Sequence, residues 1–199
     1  MEKLTITEAL AKTKLVDKKI NKKIQTGKFV GRQKGDKILD GFEPNVAKED
    51  LQSIEDLIAN RFKLKNAIHE SNQKTKLTIA GKEYTVSEAI EFKEVILYKT
   101  NLLSKLKYQL ESIRDDINFE NEKVQARLDE QISKLFEKPS STREVEIFSK
   151  SFLKANEHSL VDPIEIDKKI KEYEEEIDNF LNEVDFRLST SNSLTFIEI

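Results

Sequence analysis

Between Gly81 and Pro139 the chain contains neither glycine nor proline, and this restricts its folding more than any other feature. Thr85 and Glu88 open the stretch with a Thr-x-x-Glu capping box, in which each side chain satisfies a backbone amide that the first helical turn leaves free. Leu103, Leu106, Leu110, Ile113 and Ile117, then Val124, Leu128 and Leu135, follow at intervals of three and four, the spacing of a coiled-coil-like face. The expectation is a third helix running to about Phe136, ~50 residues and ~75 Å long at 1.5 Å per residue. A small globular core cannot bury that length. Either the helix breaks near Asn118 to Asn121, or other subunits cover it.

The segments on either side read as helices too. Thr5 and Glu8 form another capping box, followed by Ala9, Leu10, Val16, Ile20 and Ile24 at helical spacing up to Gly27. A glycine-rich loop then runs to about Pro44, with Ile38, Leu39 and Phe42 folding back as a short strand or arm. A second helix, capped by Asn45, carries Leu51, Ile54, Leu57, Ile58, Phe62, Leu64 and Ile68 and closes at Ser71-Asn72 with a left-handed asparagine. "KLTIAGKEYTV" reads as a β-hairpin, with Leu77, Ile79, Tyr84 and Val86 in strands and Ala80-Gly81-Lys82 as the turn. "KPSST", Lys138 to Thr142, is a break. Arg143 to Phe152 fits neither helical nor strand period cleanly. The last helix is expected to start at Asp162-Pro163, with Ile166, Ile170, Tyr173, Ile177, Phe180, Val184 and Leu188 as its stripe. A C-terminal strand follows, carrying Leu194, Phe196 and Ile197 to Ile199.

The fold class that follows is mainly α: long antiparallel helices in a bundle or coiled-coil-like arrangement, a small β-hairpin and a C-terminal strand. A composition of 36% charged and 37% hydrophobic residues with only 5 Gly and 3 Pro suits amphipathic helices better than a compact α/β enzyme. Two pairs of segments match, "TITEAL" with "TVSEAI" and "ESNQKTKLTI" with "TSNSLTFIEI". The expectation is therefore one elongated helical domain, 1–199, made of pseudo-repeat halves of about 1–80 and 81–199, whose terminal strands join one small sheet.

The early "EAL" helix, "LIANRFKLKNAIHESNQKT" before a glycine hairpin and "TVSEAIEFK", the "TREVEI" stretch, and a last helix closing with "SN" and a short strand together resemble the septicolysin-like family of small bacterial and phage helical proteins. The resemblance covers about three quarters of the chain in pieces and implies a helical, oligomeric protein. It carries over no catalytic residue. The chain departs from the family in a longer glycine-lysine loop, a longer third helix and a longer C-terminal region.

Several function classes are excluded on chemistry. With no cysteine there is no disulfide framework and no thiol-ligated metal, and the chain suits a reducing cytosol. A net charge of -3 gives no global basic field for nucleic acid. No apolar run approaches the ~18 residues of a membrane span, and the charged, helix-periodic start is unlike a signal peptide. A cytoplasmic protein without a membrane partner is expected, in a host cell's cytoplasm if phage-encoded. His69 and His158 lack a second ligand at helical spacing, and no hydrolase or kinase signature occurs. The expectation is a protein that is not an enzyme and has no metal and no cofactor. The acidic run Glu172 to Asp178 reads as a solvated face paired with Lys168, Lys169 and Lys171.

One stretch offers ligand chemistry. In "TGKFVGRQKGDK", Thr26 to Lys37, glycine amides together with Lys28, Arg32, Lys34 and Lys37 have the donors and charge that hold a phosphate. Lys82 and Arg143 can add charge to the same pocket. The spacing matches no Walker or dinucleotide motif. The functional expectation is a homo-oligomeric binding protein that holds a phosphate-bearing small molecule of nucleotide type, in the manner of a phage anti-defence sponge. The alternative is a structural helical bundle in which the basic loop is an arm packing on a neighbouring subunit.

Overall fold

The computed structural model describes residues 2–135 and 142–199, so all of the expected "KPSST" break except Thr142 lies outside the described residues. The fold is mainly α. In chain order the elements are β1 (Lys3–Thr5), α1 (Ile6–Thr26), β2 (Gln33–Lys34), β3 (Lys37–Ile38), α2 (Pro44–Lys74), β4 (Lys76–Ile79), β5 (Lys82–Thr85), α3 (Val86–Leu135), α4 (Thr142–Asn156), α5 (Ile166–Leu194) and β6 (Phe196–Glu198). The strands form three antiparallel pairs, β1 with β6, β2 with β3 and β4 with β5. The chain divides into two compact units, residues up to 94 with 179–199, and residues 95–178.

In the first unit α1 and α2 lie antiparallel, as the ion pairs Lys23–Asp50 near the connecting loop and Arg61–Asp17 at mid-helix require. Ile6, Ala9, Val16 and Ile20 meet Leu64, Ile68 and Ile197 in a core from which water is excluded. Thr13 is buried in the same stripe, and its hydroxyl donates to the Ala9 carbonyl, so the polar group costs little there. Phe180 is almost fully buried, with the Phe92 ring 4.9 Å and the Tyr84 ring 6.0 Å from it between centroids. Such edge-on aromatic contacts add to the apolar burial.

The two junctions of strand and helix in this unit repeat one another. Thr75 donates to Ser71 O at the end of α2, and Thr195 donates to Ser191 O at the end of α5. Each threonine carbonyl then accepts the first amide of a helix, from Val86 and Ile6 respectively, both at 2.9 Å. The registers correspond: Lys76↔Thr85 and Leu77↔Tyr84 in one pair, Phe196↔Thr5 and Ile197↔Leu4 in the other. Thr85 and Thr5 each close a capping box with a glutamate, and these bonds hold Glu88 and Glu8 below the usual carboxylate range. The difference is at the far end. Ala80 (φ 48°) and Gly81 (φ 76°) make a two-residue turn of the primed kind that hairpin twist favours, where the other pair has Glu2 and Ile199 bonded to each other in both directions.

Several element ends differ from expectation. Pro44 takes the first position of α2 after Glu43, where its missing N–H costs nothing, so Asn45 lies inside the helix rather than capping it. Ser71 and Asn72 stay helical, and the cap is Thr75 with an extended backbone (φ -76°), because the chain passes straight into β4. Lys82 begins β5 rather than belonging to the turn, Val86 begins α3 rather than ending a strand, and Leu194 ends α5 rather than beginning one.

In the second unit α3 continues unbroken through Asn118 to Asn121. Lys99–Glu176, Lys107–Glu174 and Arg114–Asp167 connect it to α5 in antiparallel order. The acidic run is therefore only partly a local affair: Lys169 pairs with Glu172 and Lys168 with Glu165, but Glu174 and Glu176 answer lysines on α3. Residues 143–152, which fit no period, are helical. Val145, Phe148 and Phe152 form the half-buried face of α4, and the exposed Ile147 is what blurs the pattern. α5 starts at Ile166, later than Asp162-Pro163 implies. Asp162 accepts the Ile166 amide with both carboxylate oxygens, while Glu165 is left-handed (φ 55°) and turns the chain into the helix.

Candidate functional site

The basic loop between α1 and α2 is a folded arm. Gln33 faces Ile38 and Lys34 faces Lys37 across a tight hairpin, with Gly35 (φ 58°) in the two-residue turn. Directly opposed residues in an antiparallel pair share a face, so Lys34 and Lys37 stand together at the tip, and neither enters an ion pair among the described residues. Arg32 behaves differently. Its Nε and Nη2 donate to the two carboxylate oxygens of Asp40 at 2.6 and 3.3 Å, which holds the guanidinium pKa above its ordinary value. One edge of its planar fork is already occupied.

The glycines have local reasons as well. A Cβ on Gly31 would sit 2.3 Å from the Phe42 ring, and one on Gly27 2.3 Å from the Phe29 ring. A turn through Asp40 (φ 58°) and Gly41 (φ 62°), closed by Phe42 N donating to Leu39 O, brings the Phe42 ring back over Gly31. Close approach at Gly31 thus serves an aromatic ring of the same loop. The cleft at the base of the loop, about 260 Å³, takes only Lys28 of the six expected cations, and Glu43 and Asp50 line it beside that lysine. With Asp50 already paired to Lys23, Glu43 still offsets the charge of Lys28, which makes the cleft a poor seat for a phosphate. Lys82 stands on a different hairpin, opposite Ile79, and Arg143 lies in α4 of the second unit. Lys34 and Lys37 are thus the two expected cations that the fold brings face to face.

A larger cleft lies in the second unit, about 670 Å³, between α3 and the connector of residues 157–165 that leads into α5. Tyr108, Ile113 and Ile117 form one wall, and Leu160, Val161 and Ile164 the other. The connector is pinned at both ends. Asn121 of α3 accepts the His158 amide at 2.8 Å and donates to the His158 carbonyl at 2.9 Å. Asp162 caps Ile164 and Ile166. Sequence reasoning missed this cleft. Its signal is present in "LVDPI", a cluster of apolar residues around a proline and outside any helical stripe, which has no solvent-facing reason to be apolar.

No helix among the described residues is long and apolar enough to cross a membrane. No protein-family model matches the chain, and no curated protein matches it. Among solved structures it is similar to one described as a functionally unknown conserved protein from Corynebacterium diphtheriae, at 18% identity over 99% of this chain and 100% of that one, with a TM-score of 0.45. Neither a family nor an activity follows from that likeness.

Proposed function

We propose that the chain is a non-enzymatic assembly protein whose helices associate with further copies of itself. The observation that carries this reading is a second apolar stripe on α2. Its core face is spoken for by Ile54, Leu64 and Ile68, yet Leu51, Ile58 and Phe62, spaced seven and four apart on an adjacent face, are 49%, 49% and 65% exposed. Apolar residues aligned at coiled-coil spacing and left in water mark a surface that another helix covers. The septicolysin-like resemblance, with the oligomer it implies, supports the same reading. Light scattering of the purified chain tests it: a multimer is expected, and Ile58→Glu with Phe62→Glu should reduce its mass while circular dichroism stays helical. A wild-type chain that is a monodisperse monomer at high micromolar concentration rejects it.

The opposed Lys34 and Lys37 favour a second reading. Like charges placed directly across a strand pair destabilise it, so an anion shared by the two ammonium groups would relieve the hairpin. On this reading the assembled loops hold a phosphate-bearing, nucleotide-type molecule in the host cytoplasm, as a phage anti-defence sponge does. Native mass spectrometry of gently isolated protein tests it. A bound phosphorylated compound that is lost on Lys34→Ala with Lys37→Ala is the expected result, and a clean protein that also ignores a nucleotide panel rejects it.

A further inference from the structure

The cleft between α3 and the connector is apolar along its walls and cationic at its rim, and it is built before any ligand arrives. Its volume of about 670 Å³ falls within the roughly 300–1,000 Å³ range of small-molecule sites. Val161, at 87% exposed, and Tyr108, at 66%, show how much apolar surface stands open to water. Lys105 lies at the rim with its ammonium 5.7 Å from the centre of the Tyr108 ring, and it enters no ion pair among the described residues. The one carboxylate in the lining, Asp162, is turned to the amides of Ile164 and Ile166.

We propose that this cleft binds a small anionic amphiphile lying along α3, with an apolar chain or ring system against Tyr108, Ile113, Leu160 and Val161 and a single carboxylate-like head group at Lys105. Apolar walls supply affinity through area removed from water. The ammonium of Lys105 selects a negative head over a neutral one. Because the connector is already fixed at His158 and Asp162, little ordering remains to oppose binding. This inference goes beyond the assembly reading and involves neither the α2 stripe nor the basic loop.

Calorimetric titration of the intact protein with dodecanoate and with dodecanol, both below their aggregation thresholds, tests it. Dodecanoate should saturate at one per chain. Lys105→Gln should weaken dodecanoate about fivefold or more, equivalent to about 1 kcal/mol, while dodecanol changes by less than about twofold. Val161→Glu, at a site too exposed to affect folding, should weaken both ligands about tenfold or more. The inference is overturned by absence of saturable binding, by equal loss of the acid and the alcohol in Lys105→Gln, or by indifference to Val161→Glu. A fall in oligomer mass on Val161→Glu also overturns it, because the cleft would then be a contact between copies.

Discussion

The loop of residues 28–43 and the connector of residues 157–165 make opposite impressions in sequence and in structure. The loop is conspicuous in sequence, with its glycines and cations, yet of those cations only Lys34 and Lys37 come together. Arg32 is paired with Asp40, Lys28 lies beside Glu43, and the glycines serve Phe42, Phe29 and a turn. The connector is unremarkable in composition, yet Asn121 and Asp162 lock it against α3 and α5, and the larger cleft forms along it. What separates them is preorganisation. A residue type supplies donors or charge, but a site needs those groups held in place by neighbours that have no other partner to satisfy.

The most damaging way to break this comparison is Asn121→Ala. It removes two hydrogen bonds at once and leaves the His158 backbone to water, a loss of about 1–2 kcal/mol at the usual net value per bond. Thermal unfolding should shift down, hydrogen exchange at the His158 amide should accelerate, and dodecanoate binding should weaken. Asn121→Asp keeps the acceptor for the amide and should show roughly half the loss. If exchange at His158 is unchanged in both variants, the connector is held by its apolar contacts instead. Asp162→Ala comes next, at about 1 kcal/mol, the usual value of a helix-capping side chain. Asp162→Asn should restore most of it.

A sharper test of the loop is Gly31→Ala, expected to cost about 1 kcal/mol, the low end of the overpacking range, because the added methyl collides with Phe42 and the exposed loop must shift around it. Truncation of that ring should remove the conflict, so Gly31→Ala should be nearly neutral in a Phe42→Ala background. If the cost is the same in both backgrounds, the glycine is needed for another reason, and close approach of a ligand returns as an explanation.

Much of the scaffold is legible in the sequence because its signals are local. Thr5 with Glu8 and Thr85 with Glu88 start helices wherever they occur, and the glycine-free run from Val86 has no residue that would stop one. Ends that depend on a neighbouring element are harder. Asn72 is a good left-handed cap by type, but Thr75 must enter β4, so the helix continues beyond it. Pro163 marks a helix start, but Asp162 reaches forward to Ile166 and shifts the start downstream. Asn118 and Asn121 look like breakers of α3. Asn121 serves a segment far along the chain, and nothing in its immediate neighbours announces that. Glu174 and Glu176 are similar, since their lysines lie on α3. The basic loop was legible as a loop, but its cations could not be placed from spacing alone, because Arg32 finds its partner across a hairpin that the glycines only permit.

The smallest expected effect concerns Arg32 itself. The Arg32 and Asp40 side chains are 75% and 62% exposed, and an ion pair in water gains little because solvent screens it and both side chains lose freedom. Arg32→Ala should therefore leave the melting temperature unchanged within error, and Asp40→Asn should do the same. A measurable drop in either variant would mean that the pair fixes the loop as Asn121 fixes the connector, and the distinction between the two would narrow. Unchanged stability together with altered binding of a nucleotide would instead assign the arginine to a ligand. Asp40 would then be its resting partner, because a guanidinium fork held by a carboxylate is already shaped to receive a phosphate in its place.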